Sequence, residues 1–215
     1  MMEQFTTLLA EFEALGGTGI IYGGCLRDTF CGVGPIKDID VAVADTEANH
    51  RAIDAYVKKL RAAHDEEDEP GSLREMLGFS SVHVTNMPLG YGNFPDVVRS
   101  ISVEAPGETT VNFVVVDLSD DIGLGPMHPI NVAARCDFGI CQIAMDGQGE
   151  VYVTEPFTQD LQNKTFTYTR EPFDQAQWDR SLRRWERLKD KFEGWTLKLP
   201  VTGTRIETII TDGLD

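Results

Sequence analysis

The most constraining segment of this chain is short. An apolar run, Gly19 to Tyr22, ends in Gly23-Gly24 and passes at once into Cys25-Leu26-Arg27-Asp28. With thirteen residues between it and Gly24 comes Asp38-Ile39-Asp40-Val41, in a second apolar run that reaches Val43. A strand that ends in two glycines and turns directly into a helix exposes backbone N–H groups with no Cβ in front of them. The helix N-terminus adds partial positive charge, so phosphate groups can settle there. Arg27 is placed to add a planar, permanently charged donor. Asp38 and Asp40 stand two apart on a strand, so both carboxylates leave the same face. Such a pair repels unless a cation sits between its members. Oxygen-only ligands of this kind suit Mg²⁺ (or Mn²⁺) completed by substrate phosphates. Together these residues describe nucleoside triphosphate chemistry: Gly23, Gly24 and Arg27 for phosphate, Asp38 and Asp40 for metal.

Periodicity supplies the frame around that segment. Phe5, Leu8, Leu9, Phe12 and Leu15 recur at helical spacing and are stopped by Gly16-Gly17. A short helix is expected to begin near Leu26 or Arg27. Thr46 is a plausible N-cap for a helix whose inner stripe is Ile53, Tyr56, Val57 and Leu60. Residues 64 to 71, HDEEDEPG, form an acidic break, and residues 79 to 95 are irregular. Val97 to Val103 and Val111 to Val116 flank Pro106-Gly107 as a β-hairpin. A helical turn is expected near Val132, and residues 138 to 145 and 150 to 154 form a further strand pair. Residues 174 to 193 make the last helix, carrying six basic side chains from Arg180 to Lys191. Residues 196 to 215 are open between an edge strand and a tail. The irregular alternation predicts an α+β fold: a mixed, partly antiparallel sheet with helices packed on one face, plus a C-terminal helix. The chain divides into a head (1–165), the basic helix (166–195) and a short tail (196–215).

The joint pattern resembles the DNA polymerase β-like nucleotidyltransferase superfamily, whose signature is Gly-Gly or Gly-Ser, a spacer, then hydrophobic-Asp-hydrophobic-Asp-hydrophobic. GGCLRD and KDIDV look most like the head domain of class II CCA-adding enzymes and bacterial poly(A) polymerases, and like short phage and bacterial proteins of that superfamily. A thinner likeness follows in Arg135-Cys136-Asp137-Phe138-Gly139-Ile140, Pro156-Phe157 with Asp160-Leu161, and the basic helix at Arg180 to Arg187. The resemblance implies a nucleotidyltransferase fold and a Mg²⁺-dependent enzyme that moves a nucleotidyl group from an NTP to a hydroxyl acceptor. It implies Asp38 and Asp40 as catalytic metal ligands, Arg183 and Arg184 as triphosphate contacts, and a third acid on a neighbouring strand. Asp117 fits that third role chemically, and Asn112 fits its register; Asp137 is a more distant substitute. The stretch nearest the family's Glu-Asp-x-x-Arg motif, Ala176-Gln177-Trp178-Asp179-Arg180, keeps the arginine but not the acid pair, so base preference does not carry over. The alternative function is a catalytically weakened NTP-binding or interaction module, with residues 64 to 95 as its partner surface.

Composition narrows the rest. Thirty-five acids against nineteen bases give a formal charge of −16, which argues against a nonspecific nucleic-acid binder. That charge, and a chain that stops soon after the basic helix, remove full-length tRNA from the expected substrates. The acceptor stays open between a small molecule, an RNA end and a protein side chain. No apolar run is long enough for a membrane span, and Met1 to Glu13 does not read as a leader. Four cysteines and four histidines show no metal-binding spacing, so free thiols in a cytoplasmic protein are expected. His83 and His128 read as structural, and Trp178 and Trp185, seven apart on one helix, as buried.

Overall fold

The computed structural model describes residues 2–65, 82–86, 96–119, 123–171, 174–199 and 208–209. Helix α1 (Met2–Ala14) buries Phe5, Leu8, Leu9 and Phe12, the stripe its periodicity predicts. Strand β1 (Gly19–Tyr22) leads through Gly23 into α2 (Gly24–Cys31). The helix thus begins at the second glycine, two or three residues earlier than the sequence suggests, because Gly23 bends the chain at φ 79°, a conformation that a side chain opposes. Strand β2 (Asp38–Ala44) precedes α3 (Glu47–Asp65). The Thr46 hydroxyl accepts from the Asn49 N–H at 3.2 Å and caps α3 as expected.

Strand β3 (His83–Asn86) pairs antiparallel with β4 (Val97–Glu104), which forms the expected hairpin with β5 (Thr110–Val116). Strand β3 lies within a stretch read as irregular, although Val82-His83-Val84 alternates as a strand does, and it pairs along the edge of β4. Helix α4 (Pro129–Ala133) follows, then β6 (Ile143–Met145) and β7 (Val151–Val153). The strand expected from residue 138 begins only at Ile143, because Gly139–Cys141 form a 3-10 turn. That turn is pinned by Asp160, whose Oδ2 accepts from the Ile140 N–H at 2.8 Å. Asp160 lies on α5 (Glu155–Asn163). A Cβ on Gly139 would meet Asp160 Oδ2 at 2.7 Å and the Pro156 carbonyl at 2.9 Å, so only glycine fits the crossing.

Seven strands form one sheet in the order β3-β4-β5-β2-β1-β6-β7, in which β2 and β5 are parallel and their neighbours antiparallel. Alternation splits its side chains. Ile39, Val41, Val43, Val111, Phe113 and Val115 face the main core with α1 and α3. Ile20, Ala42, Val114, Val116 and Ala144 face the other way and pack with Val132 and Ala133 of α4. The second face is therefore covered at one end only, and its polar end, Asp40, Asn112 and Ser102, opens into a cleft. After α5, β8 (Thr165–Thr167) pairs in parallel with β9 (Thr196–Lys198), and Thr208–Ile209 (β10) adds a third strand. Between β8 and β9 runs α6 (Gln175–Leu188), which buries Trp178 and Trp185 as their spacing predicts. These tryptophans, with Phe166, Phe192 and Leu197, belong to the same continuous core as α1 and the sheet. Among the described residues no helix is long and apolar enough to cross a membrane, and Cys25, Cys31, Cys136 and Cys141 are free.

Candidate nucleotide and metal site

The cleft has a volume of about 1190 Å³ and lies between the open end of the sheet and α6. Gly23, Gly24, Asp38 and Asp40 line one wall, and Arg180, Arg183, Arg184 and Arg187 the other. Local chain geometry explains the first wall. Tyr22 pairs with Asp40 across β1 and β2, so the diglycine bend leaves β1 beside the twin acids. The Gly23 N–H donates to the Ile143 carbonyl at 3.0 Å and the Arg27 N–H to the Gly23 carbonyl at 3.0 Å, which fixes the bend. A Cβ on Gly24 would stand 3.7 Å from Nη2 of both Arg27 and Arg184. The second glycine therefore forms a seat that faces two guanidinium groups, at a distance where a Cβ would make only ordinary contact.

These two arginines differ in kind. Arg27 is 3% exposed: its Nε and Nη2 donate to Asp28 Oδ1 at 2.8 and 2.6 Å, and its Nη1 reaches Cys141 Sγ at 3.1 Å. Its guanidinium also lies over the Phe166 and Phe192 rings, at 5.8 and 5.3 Å from their centroids. Arg27 thus supports the seat from behind instead of reaching freely into the cleft. Arg184 approaches from the front. Its Nη1 donates to Asp137 Oδ1 at 3.1 Å, while the Ser181 hydroxyl donates to Asp137 Oδ2 at 2.7 Å. The adjacent Asp137 carboxylate holds the Arg184 guanidinium charged, raising its pKa further. Both oxygens of Asp137, the more distant candidate for a third acid, are thus engaged by α6. Arg183, one residue before Arg184, is exposed on the same cleft wall.

The neighbouring strand decides between Asn112 and Asp117. In the parallel β2–β5 register, Asp38 pairs with Thr110 and Asp40 with Asn112. Asn112 Nδ2 donates to Asp40 Oδ1 at 2.9 Å, and the Ser102 hydroxyl donates to Asn112 Oδ1 at 2.7 Å. Asp117 is five residues from Asn112, an odd separation that sends it to the opposite face. It is exposed beyond the end of β5 and does not line the cleft. The structure thus brings Asp38, Asp40, Gly23, Gly24, Arg27, Arg183 and Arg184 to one cleft, with Arg27 buried in its wall, and leaves Asp117 outside. Among the described residues no three His, Cys, Asp or Glu side chains cluster as a metal site. Two carboxylates plus substrate phosphates fit one Mg²⁺, and the Asn112 amide, turned nitrogen-first to Asp40, adds no third charge.

Sequence reasoning did not single out Glu104, Asp96 and Arg170, which also line the cleft. Glu104 was detectable: it shares strand parity with Ser102, and hence the open face. Burial raises the Cys25 thiol to about 12, with the Asp40 charge adding to the effect, and raises the Cys136 thiol as well. The thiols near the bend therefore stay protonated and neutral. Tyr22 is raised in the same way, by burial first and Asp40 next.

No model of a protein family matches the chain, and no curated protein matches it in sequence. Solved structures do match. A tRNA-processing enzyme in an apo form aligns over 87% of this chain and 42% of its own, at 19% identity and a TM-score of 0.52. A CCA-adding enzyme in an apo form aligns over 93% and 39%, at 15% identity and a TM-score of 0.55. The Thermotoga maritima CCA-adding enzyme complexed with tRNA aligns over 93% and 39%, at 13% identity and a TM-score of 0.52. The protein has the nucleotidyltransferase fold of these enzymes, as the GGCLRD and KDIDV segments imply. It spans about two fifths of their length.

Proposed function

We propose that this protein is a nucleotidyltransferase that binds an NTP with Mg²⁺ or Mn²⁺ and passes the nucleotidyl group to a hydroxyl acceptor. The observation that carries this reading is the meeting of Gly23, Gly24, Asp38, Asp40 and Arg184 around one cleft. The triphosphate would lie over the diglycine bend, held by exposed backbone N–H groups, the α2 N-terminus and the Arg184 guanidinium. Arg27, locked to Asp28, would hold that bend in place. Asp38 and Asp40 would hold the divalent ion, which neutralises phosphate charge and lowers the pKa of an attacking hydroxyl. The acceptor oxygen attacks the α-phosphorus in line, the bond to the β-phosphate oxygen breaks, pyrophosphate leaves with that electron pair, and the hydroxyl proton passes to water. A CCA-adding enzyme of this fold has been solved with CTP, which supports an NTP as partner.

A second reading, an NTP-binding module without turnover, is favoured by one observation: Asn112 stands where a third acid would complete the charge. One experiment separates the two. The protein is incubated with each labelled NTP, Mg²⁺ or Mn²⁺ and a panel of hydroxyl acceptors. Labelled product that disappears in Asp38→Ala supports transfer. Cation-dependent NTP binding with no product supports the module. Calorimetry that detects no cation-dependent uptake of any NTP refutes both.

A further inference from the structure

The helix-covered side of the sheet carries a second, smaller cavity of about 340 Å³, between α3 and the edge strands β3 and β4. Strand register fixes which strand residues reach it. Val84 pairs with Val103 and Asn86 with Ile101, so these residues lie on the face packed under α3, away from Asp40. Arg99 joins them through an irregularity. Counted from the Val97–Val116 pair, regular pairing would set Arg99 opposite Val114 on the cleft side. A β-bulge at Val98 sets it opposite Val115 instead, on the helix-covered side. Bulges of this kind re-aim a side chain, and here the chain so aimed is a cation. From the helix, Asp54, Val57, Lys58 and Arg61 fall on one stripe, at spacings of three and four, and line the same cavity.

Three cations thus meet one acid around this groove. The other two bases of α3 are neutralised: Arg51 lies 2.8 Å from Glu47 and Lys59 lies 2.9 Å from Glu11. Lys58 and Arg61 have no acid partner among the described residues, and Arg99 Nη2 donates at 3.2 Å to the neutral Asn86 Oδ1. Acids outnumber bases by thirty-five to nineteen in the chain, so a local excess of positive charge departs from the rest of the molecule. Like charges gathered in this way repel, and an anion between them relieves the repulsion. Val57 and Val84 are half-buried at the groove, with Ile53 and Ile101 buried beneath them.

We propose that this groove is an anion site separate from the catalytic cleft, and that it takes a small ligand bearing a diphosphate group. The Arg61 and Arg99 guanidinium groups can give paired N–H donors to phosphate oxygens, and Lys58 adds a compact third charge. The Asn86 amide, whose oxygen faces Arg99, keeps two N–H donors for the ligand. Three cations less Asp54 leave an excess of two positive charges, which favours a multiply charged anion. The volume is near the lower end for small-molecule sites, and the acidic surface around it turns away a long polyanion. This site does not depend on the nucleotidyltransferase reading.

The test is a titration of the full chain with inorganic pyrophosphate in EDTA and about 0.15 M salt, followed by the backbone amide NMR signals. The amides of Lys58, Asn86 and Arg99 should shift to saturation. In Lys58→Gln/Arg61→Gln, two changes at exposed positions of α3, the Asn86 and Arg99 amides should titrate at least tenfold more weakly, as should the Asn86 amide in Arg99→Gln. Arg184→Gln, which alters the catalytic cleft, should leave the groove titration unchanged. A parallel titration with ADP separates the sources: tighter binding than pyrophosphate assigns the groove to a diphosphate carried on a larger molecule, weaker binding to the free anion, and both support the site. The proposal is overturned if the groove amides do not saturate, if Lys58→Gln/Arg61→Gln titrates like the native protein, if the shifts vanish in Arg184→Gln, or if a short oligoribonucleotide saturates these amides at lower concentration than either diphosphate.

Discussion

Replacing Asn112 with Asp gives the strictest test of the geometry at the twin acids. The present amide donates to Asp40 at 2.9 Å and is itself held by Ser102. The substitution removes a hydrogen bond to a carboxylate, worth about 1.5–3 kcal/mol. It also sets two carboxylates side by side. Two unit charges about 4 Å apart repel by roughly 4 kcal/mol at an effective dielectric of about 20. One acid of the pair escapes much of that by keeping its proton, so the net loss in metal-free protein should be about 3 kcal/mol. For a chain of this size that lowers Tm by roughly 6–12 °C. The retained proton fixes the pH sign. Its folded pKa is raised, so the stability deficit is absent below the ordinary carboxylate range and grows as pH rises through the folded pKa. A divalent ion held as proposed would reverse the balance, because the third carboxylate would then become a ligand. Asn112→Asp should therefore melt below the native protein in EDTA at pH 7 and gain more from Mg²⁺ or Mn²⁺ than the native protein does. Scanning calorimetry with and without metal reads both effects. Equal melting in EDTA, or equal gain from metal, would refute the placement of Asn112 against Asp40.

Two further outcomes follow from single residues. Gly23→Ala forces a side chain into φ 79° at the bend, and should cost about 1–3 kcal/mol by chemical denaturation and weaken NTP binding; an unchanged midpoint refutes the bend's geometry. Asp160 is 1% exposed and accepts from the Thr165 and Thr167 hydroxyls and from the Ile140 and Thr167 N–H groups. Asp160→Ala orphans all four donors and should cost about 3–5 kcal/mol. Asp160→Asn should cost far less, since the hydroxyls can turn to accept. Burial raises the Asp160 pKa despite those bonds, so its contribution to stability declines as pH rises from about 3.8 through the folded value; Asp160→Asn should flatten that part of the pH profile of urea midpoints.

The difference between what the chain spells out and what packing decides is clearest around the cleft. Gly23, Gly24, Asp38 and Asp40 were legible because their meaning is local: a bend, a helix start and same-face parity are fixed within a few residues of backbone. The same parity rule shows that Asn112 and Asp117 point to opposite faces, but not which of them faces the cleft. Only the register between β2 and β5, two parallel strands separated by a long crossover, makes that choice. Arg27 was legible as a cation beside the bend but not as a buried one. Its pairing with Asp28 and its packing on Phe166 and Phe192 bring in rings more than a hundred residues away. Likewise the basic stripe of α6 was visible in sequence, while the docking of Trp178 and Trp185 into the common core turns that stripe toward the glycines. Backbone chemistry acts between neighbours in the chain and can be read there; strand register and side-chain burial depend on contacts between distant segments, and only the folded structure sets them.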